Sequence, residues 1–184
     1  LTQSVETIAT LAARYQAQGC RALKFKPKLK LSLKGPTRRS GHPSLRAVLT
    51  YPKGAGYANI ARAQVGLPHS QFLDQGNLDK VCNQANLRAG TCPKRAVYGR
   101  AKAWTPLLDK PLEGPVYIGV GFGNALPDLV ADLDGEARFI LHGRVDTTKH
   151  DGLRNTFEFV PDVPVTRFVL ALKGGKRYGL LENS

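Results

Sequence analysis

The chain has 184 residues, of which 42% are hydrophobic and 22% charged, and its formal net charge is +13. This length and composition fit one folded domain and exclude a disordered chain, and no apolar run is long enough to predict a membrane-spanning helix. No Asp or Glu occurs between Thr7 and Leu73, where Arg14 and eleven more Lys and Arg fall. We therefore expect this part of the chain to attract polyanions.

The first 19 residues are ambiguous between helix and strand. Val5, Ile8, Leu11 and Tyr15 would lie on one face of a helix, whereas the threonines favour a strand. We treat residues 1–19 as an N-terminal extension or exchanged strand, and residues 20–184 as a single β-sandwich domain. The chain starts at Leu1 and contains no methionine, so we expect a processed product or a trimmed fragment.

The segment "LKFKPKLKLSLK", residues 23–34, alternates apolar and basic residues with a period of two. This period predicts a half-buried strand with its leucines toward the core, and Pro27 marks an edge, a bulge or the early part of that strand. The lysines have two interpretations: solvated side chains that prevent edge-to-edge aggregation, or a basic stripe that binds a polymer. With the following loop, the candidate polyanion-binding residues are Lys24, Lys26, Lys28, Lys30, Lys34, Arg38 and Arg39.

Short alternating segments, separated by turn residues, fill most of the remaining chain. Asp134-Gly135 separates two of them and predicts a hairpin. This pattern favours an antiparallel sandwich or barrel, and we expect an all-β, Ig-like or jelly-roll-like antiparallel β-sandwich. The predicted strands are residues 45–51, 59–67, 97–105, 115–120, 126–133, 136–147, 153–160 and 165–173.

One short helix is predicted at residues 77–87. Leu78, Val81, Cys82 and Ala85 suit one helical face, and Asn77 is a candidate N-cap. Gly90 and Pro93 follow and end this section of the chain.

The cysteine spacing predicts one local disulfide. Cys82 and Cys92 are close enough along the chain to pair, and no CxxC or neighbouring histidine pair accompanies them, so a zinc site is not expected. Cys20 is left as a buried thiol or as half of a bridge to a partner outside this chain.

Two motifs with possible chemistry are better explained as structure. "GVGFGNA", residues 119–125, resembles a phosphate-binding loop but is followed by a strand pattern, so we expect a wide glycine turn. Asp132, Asp134 and Glu136 would share one face of a strand, which permits weak calcium binding, but solvated hairpin residues are the favoured interpretation.

No residue pattern predicts catalysis. The histidines show no ligand spacing, and no G-x-S-x-G nucleophile elbow is present. We therefore expect no catalytic residue, no metal site, no cofactor and no enzymatic activity. A hydrolase would need converging acids such as Asp128 and Asp132.

Several co-linear motifs resemble a recurrent β-rich domain of large, uncharacterised secreted proteins of actinobacteria. They include "GCRALKFKPKLKLSLKG", "AGTCPKRAVYGRA", "LPDLVADLDGEARFILHGRVD" and "TFEFVPDVPVTRFVLALKGG", and the resemblance covers about residues 16–184. It implies an exported domain with no known activity. It also implies a further cysteine-containing strand region after "GLLENS" and another cysteine upstream, so we expect Cys20 to lack its usual partner in this chain.

These observations predict an extracellular or cell-surface structural or adhesive module of the cell envelope or of an extracellular filament. The alternative is a binding module for anionic polymers, whether cell-wall polymer, polysaccharide or nucleic acid. An unpaired sheet edge would also allow residues 1–15 of a neighbouring copy to add a strand, giving a homo-oligomer or filament.

Overall fold

The computed structural model describes residues 20–54, 56–149 and 152–184, so residues 1–19 lie outside the described residues. The described residues form twelve strands and one short α-helix, α1 (Gln84–Ala89), with 3₁₀ turns at Cys20–Ala22, Gln75–Asn77 and Lys94–Ala96. The strands are β1 (Lys28–Lys34), β2 (Ser44–Thr50), β3 (Ala63–Gly66), β4 (Gln71–Leu73), β5 (Cys82–Asn83), β6 (Val97–Trp104), β7 (Leu112–Val120), β8 (Asp128–Leu133), β9 (Phe139–Thr147), β10 (Leu153–Phe157), β11 (Arg167–Leu172) and β12 (Leu181–Asn183).

Ten of these strands form one curled sheet, and the other two form a small sheet. The order in the large sheet is β1-β2-β11-β6-β7-β8-β9-β10-β3, with β5 pairing in parallel beside β7. The small sheet pairs β4 with β12 and contributes Leu73 and Leu181 to the same hydrophobic core. The prediction of an antiparallel all-β sandwich with little helix is confirmed.

The curl of the large sheet brings its two ends toward one interior. Leu31 in β1 and Val65 in β3, at opposite ends of the strand order, line the same cavity of about 80 Å³. The apolar residues of the central strands face this interior because the side chains of a strand alternate between the two faces. Core residues at less than 3% exposure include Tyr98, Ala101, Val116, Ile118 and Ala131.

The period of the lysine-rich strand is confirmed, but the expected burial of its leucines is wrong. Leu29, Leu31 and Leu33 face the interior side of the sheet, yet they remain 49%, 39% and 41% exposed. The physical reason is position: β1 ends the strand order, and no described strand pairs with its outer edge. The strand also begins at Lys28, after Pro27, and not at Leu23.

The predicted helix lies further along the chain than the sequence indicated. Asn83, not Asn77, is the N-cap of α1, and its side-chain oxygen accepts a hydrogen bond of 2.8 Å from the Asn86 amide. Asn77 is buried instead, and its amide group donates to the Asp74 carboxylate and to the carbonyl oxygens of Lys176 and Gly179. Asn77 therefore ties the segment before the helix to the C-terminal region.

The turns were predicted more accurately than the strand ends. β8 and β9 form the hairpin expected around Asp134-Gly135, although its loop spans residues 134–138, since Leu133 pairs with Phe139. "GVGFGNA" runs from the end of β7 into the turn before β8, with Gly121 and Gly123 at φ of 89° and 82°, a conformation that favours glycine.

Among the described residues, no helix has the length and apolar character needed to cross a membrane.

Candidate anionic-polymer interface

The strand register places basic residues from four strands on the outer face of the large sheet. One row across the sheet runs from Lys28 in β1 through Thr50 to Arg167 and Trp104. Residues paired across adjacent strands lie on the same face about 5 Å apart, and alternate residues along one strand lie about 7 Å apart. We call this surface, defined by its cations, the basic face: Lys28, Lys30, Lys34, Arg46, Arg100, Lys102 and Arg167.

The next two rows continue the same face. In the second row, Lys30 pairs with Val48 and Val48 with Val169. Val169 then pairs with Lys102, and Lys102 with Glu113. The third row contains the exposed guanidinium groups of Arg46 and Arg100 on either side of Ala171. Glu113 is the acidic residue of these three rows, and its carboxylate lies 2.9 Å from the Lys102 ammonium, which lowers the pKa of that carboxyl.

Three of the seven predicted cations belong to the basic face. Lys28, Lys30 and Lys34 lie within β1 on the same side as Arg46. The other four are exposed but flank the strand. Lys24 and Lys26 precede β1, and Lys24 forms an isolated backbone bridge with Tyr57. Arg38 and Arg39 lie in the loop between β1 and β2.

Sequence reasoning missed Arg46, Arg100, Lys102 and Arg167 as members of this face. Arg46 and Arg167 each occur singly within an apolar alternating segment, and Arg100 and Lys102 share one, so none lies in a charge cluster like that of β1. Each alternates with core residues along its strand, and this alternation was the available signal that it faces outward. The strand order that brings the four strands together cannot be derived from local sequence.

The cations of β1 and β2 have no acidic partners among the described residues, unlike Arg138, Arg144 and Arg154 near β8–β10. Within residues 20–54, 56–149 and 152–184, neither Arg46 nor any of the seven predicted cations forms an ion pair. At the other end of the sheet, Arg154 holds Asp146 through two hydrogen bonds of 2.7 and 2.6 Å. Positive charge is thus concentrated at the β1–β2 end, while near β8–β10 it is largely neutralised.

Trp104 is half-buried at one end of the basic face. Its indole ring has the Lys102 ammonium 5.4 Å and the Arg167 guanidinium 5.2 Å from the ring centroid. Cations at these distances are attracted to the π face of the ring and are held beside it. Trp104 therefore adds a flat apolar surface, suited to stacking against a sugar or a base, to a cationic strip.

The disulfide prediction is confirmed, and the bridge lies away from the basic face. Cys82 and Cys92 are bonded, with their Cα atoms 5.4 Å apart, and Cys82 packs with Leu87 and Val130 in a second small core. The bridge fixes α1 against the outer surface of β8.

The two acids considered for hydrolysis do not converge on one site. Asp132 accepts two hydrogen bonds of 2.8 Å from Arg138. Asp128, four residues away along β8, is buried and accepts a hydrogen bond from Asn124, with the His142 ring 3.4 Å away. Each carboxylate thus has its own partners, and four strand residues separate the two by about 13 Å.

One group of side chains has the composition of a metal site. His42, Asp74 and Glu182 place one ligand atom each within 4.8 Å of one another. Sequence reasoning missed this group because its members lie on three separate segments of the chain.

One cavity between the strands has no chemical groups suited to catalysis. This cavity of about 170 Å³ is lined almost entirely by apolar side chains, among them Leu49, Ala103, Leu112, Phe139 and Phe168. No charged side chain of the described residues lines it, so it offers no acid or base.

Comparison with family models, curated proteins and solved structures finds no match to this chain. The resemblance to secreted actinobacterial proteins stays an expectation from the sequence motifs.

Proposed function

We propose that this protein is a non-enzymatic, extracellular adhesive module that binds an anionic polymer of the cell envelope through the basic face. The observation that carries the proposal is the concentration of unpaired cations on β1 and β2, on the same face of the sheet as Trp104. A cation already paired with an acid gains little from a second anion. An unpaired one attracts a polyanion at its full charge.

The arrangement suits a polymer better than a small anion. Neighbouring cations lie about 7–8 Å apart, along one strand or diagonally between adjacent strands, and they are spread over four strands. Such a surface makes many weak contacts, each of which releases counterions from the polymer, so affinity depends steeply on salt and weakly on sequence. A flat strip is also compatible with an extended chain lying across several strands.

Two features support an extracellular location. A disulfide persists in oxidising compartments, and the Cys82–Cys92 bridge is formed in this structure. The resemblance of the sequence motifs to those of secreted proteins points to the same compartment. The polymer we propose is accordingly an acidic glycan or a phosphate-containing cell-wall polymer.

Salt-dependent retention on immobilised polymers tests the proposal. We expect the protein to bind heparin and a phosphate-containing cell-wall polymer, and to elute from both as the salt concentration rises. It should not bind a neutral glycan of the same length. Retention on single-stranded DNA is measured in the same way. Tighter binding to DNA than to every glycan would indicate that the polymer is a nucleic acid. Equal retention on neutral and acidic glycans would contradict the proposal.

A second candidate function, self-assembly, is favoured by the unpaired edge of β1. An exposed strand edge presents backbone donors and acceptors that can pair with another chain, and half-exposed Leu29, Leu31 and Leu33 lie beside it. We propose that residues 1–15 of a neighbouring copy add to this edge. Light scattering on the full chain and on a chain lacking residues 1–15 tests this: assembly that depends on those residues supports it, and a monomeric full chain at high concentration contradicts it.

A further inference from the structure

Three side chains from distant parts of the sequence meet at one end of the small sheet. His42 lies in the loop before β2, Asp74 directly follows β4, and Glu182 lies in β12. The His42 Nε2 atom is 2.7 Å from an Asp74 carboxylate oxygen, and the ligand atoms of all three residues lie within 4.8 Å of one another. The side chains of His42 and Asp74 are only 12% and 17% exposed.

The fold holds these residues firmly. The Asp74 carboxylate accepts hydrogen bonds of 2.8 Å from the Gly76 amide and from the Asn77 side chain. The His42 carbonyl accepts from the Gly175 amide, and a Cβ atom added at Gly179 would lie 2.6 Å from the His42 Cβ. The backbone of the C-terminal region thus packs directly against His42, which leaves the ring little freedom to move away.

Apart from His42, the group has no cationic partner among the described residues. Two carboxylates lie within 4.8 Å of each other, and no described Lys or Arg forms an ion pair with either of them. Glu182 has neither a hydrogen bond nor an ion pair from its carboxylate to any described residue. Like charges at this distance repel each other, and a positive ion between them removes that cost.

The donor set and its spacing fit a divalent transition metal. One imidazole nitrogen with carboxylate oxygens is a ligand combination that zinc accepts, with metal–ligand distances near 2.0–2.2 Å. At a tetrahedral zinc, such distances place neighbouring ligand atoms about 3.4 Å apart. The His42–Asp74 separation of 2.7 Å and the 4.8 Å limit on the other separations bracket that value, so the three side chains can supply three of the four zinc ligands.

We propose that His42, Asp74 and Glu182 bind one divalent transition-metal ion, with zinc as the natural candidate. The ion fastens the loop before β2 to both strands of the small sheet, independently of polymer binding at the basic face. Binding requires the His42 Nε2 atom without its proton, which leaves to solvent or to Nδ1.

Zinc titration of tag-free protein stripped with a chelator tests this. We expect one zinc ion per chain, a zinc-dependent rise in the thermal midpoint, and visible absorption bands of tetrahedral cobalt when Co²⁺ replaces zinc. His42→Gln and Glu182→Gln should each weaken zinc binding by about tenfold or more. Two variants are used because either one alone could disturb folding, which circular dichroism checks.

His142→Gln is the matched control. His142 also lies beside a buried carboxylate, Asp128, but the described residues provide no third donor there. Its zinc affinity should equal that of the unmodified protein. Absence of saturable zinc binding, or equal affinity in the folded His42→Gln, Glu182→Gln and His142→Gln variants, would overturn the proposal.

Discussion

Arg167 lies over the indole ring of Trp104, with its guanidinium carbon 5.2 Å from the ring centroid. The two residues are direct partners in the register of β11 and β6, although 62 residues separate them in the chain. This pair places the single tryptophan of the protein at one end of the basic face.

The first prediction uses Trp104 as a built-in reporter. Binding of an acidic polymer near Lys102 and Arg167 should shift or quench the intrinsic fluorescence of Trp104, because the polymer changes the charge and solvent contact of the ring. The change should saturate at low salt and disappear at about 0.5 M salt, where the screening length is only a few ångströms. A neutral glycan is the control. Saturating polymer binding with no fluorescence change would place the polymer away from this end of the face.

The sequence predicted local features of this surface and missed those created by the sheet. Alternation identified β1 and its lysines, since a period of two is visible within a few residues. The same reasoning placed Leu29, Leu31 and Leu33 in the core, because alternation does not say whether a strand is central or at an edge. The partnership of Arg46, Arg100 and Arg167 depends on strand order, which arises from long-range pairing.

The helix and the metal-ligand group illustrate the same limit. Asn77 and Asn83 are equally good N-caps by residue type, and the choice of Asn83 follows from the pairing of Cys82 and Asn83 with β7. His42 appeared isolated because its neighbours Asp74 and Glu182 are 32 and 140 residues away in the chain. By contrast, a disulfide with a separation of 10 residues was readable from spacing alone.

The second prediction concerns the disulfide. Replacing Cys82 and Cys92 together by alanine should lower the free energy of unfolding by about 2–3 kcal/mol, because the open loop regains conformational entropy in the unfolded chain. Urea denaturation of the two proteins gives this difference. Thiol titration of the denatured, unreduced parent should find no more than one free cysteine, and three would contradict the bridge.

The third prediction compares two glycines in strands. A Cβ at Gly114 in β7 would overlap the Asp132 carbonyl oxygen of the neighbouring strand, whereas a Cβ at Gly66 in β3 meets no atom within 4 Å. Gly114→Ala should therefore lower the free energy of unfolding by about 2 kcal/mol or more. Gly66→Ala should leave it unchanged or slightly raised. Similar stabilities for the two variants would show that Gly114 does not lie as close to the Asp132 carbonyl oxygen as this structure places it.

The fourth prediction is alkaline destabilisation through Tyr98. Burial raises the pKa of the Tyr98 hydroxyl to about 12, and this hydroxyl donates a hydrogen bond to the Asn77 carbonyl oxygen. Between pH 10 and 12 the unfolded chain has lost this proton while the folded protein still holds it. The free energy of unfolding therefore keeps its full value below pH 10 and falls by about 2–3 kcal/mol as the pH rises from 10 through 12.

Tyr98→Phe is the control for that titration. The variant lacks the hydroxyl, so its stability should fall less between pH 10 and 12, even though it starts lower through loss of the bond to Asn77. Denaturation curves at several pH values measure the slope, and equal slopes for the two proteins would exclude Tyr98 as its source.

The proposed role of the unpaired cations on β1 and β2 is to bind an anionic polymer. Its most direct test compares two triple charge reversals with the same change in net charge. One replaces Lys28, Lys30 and Arg46 of the basic face by glutamate. The other replaces Arg88, Lys94 and Arg95, which are exposed on α1 and the following 3₁₀ turn.

The decisive measurement is the affinity of each variant for an acidic glycan as a function of salt. The basic-face variant should bind about tenfold or more weakly, and its slope of log affinity against log salt should shrink by about 2–3, since three counterion-releasing contacts are lost. The control variant should keep the parent slope. If both variants weaken equally, net charge and not the basic face drives binding, and the proposed function is wrong.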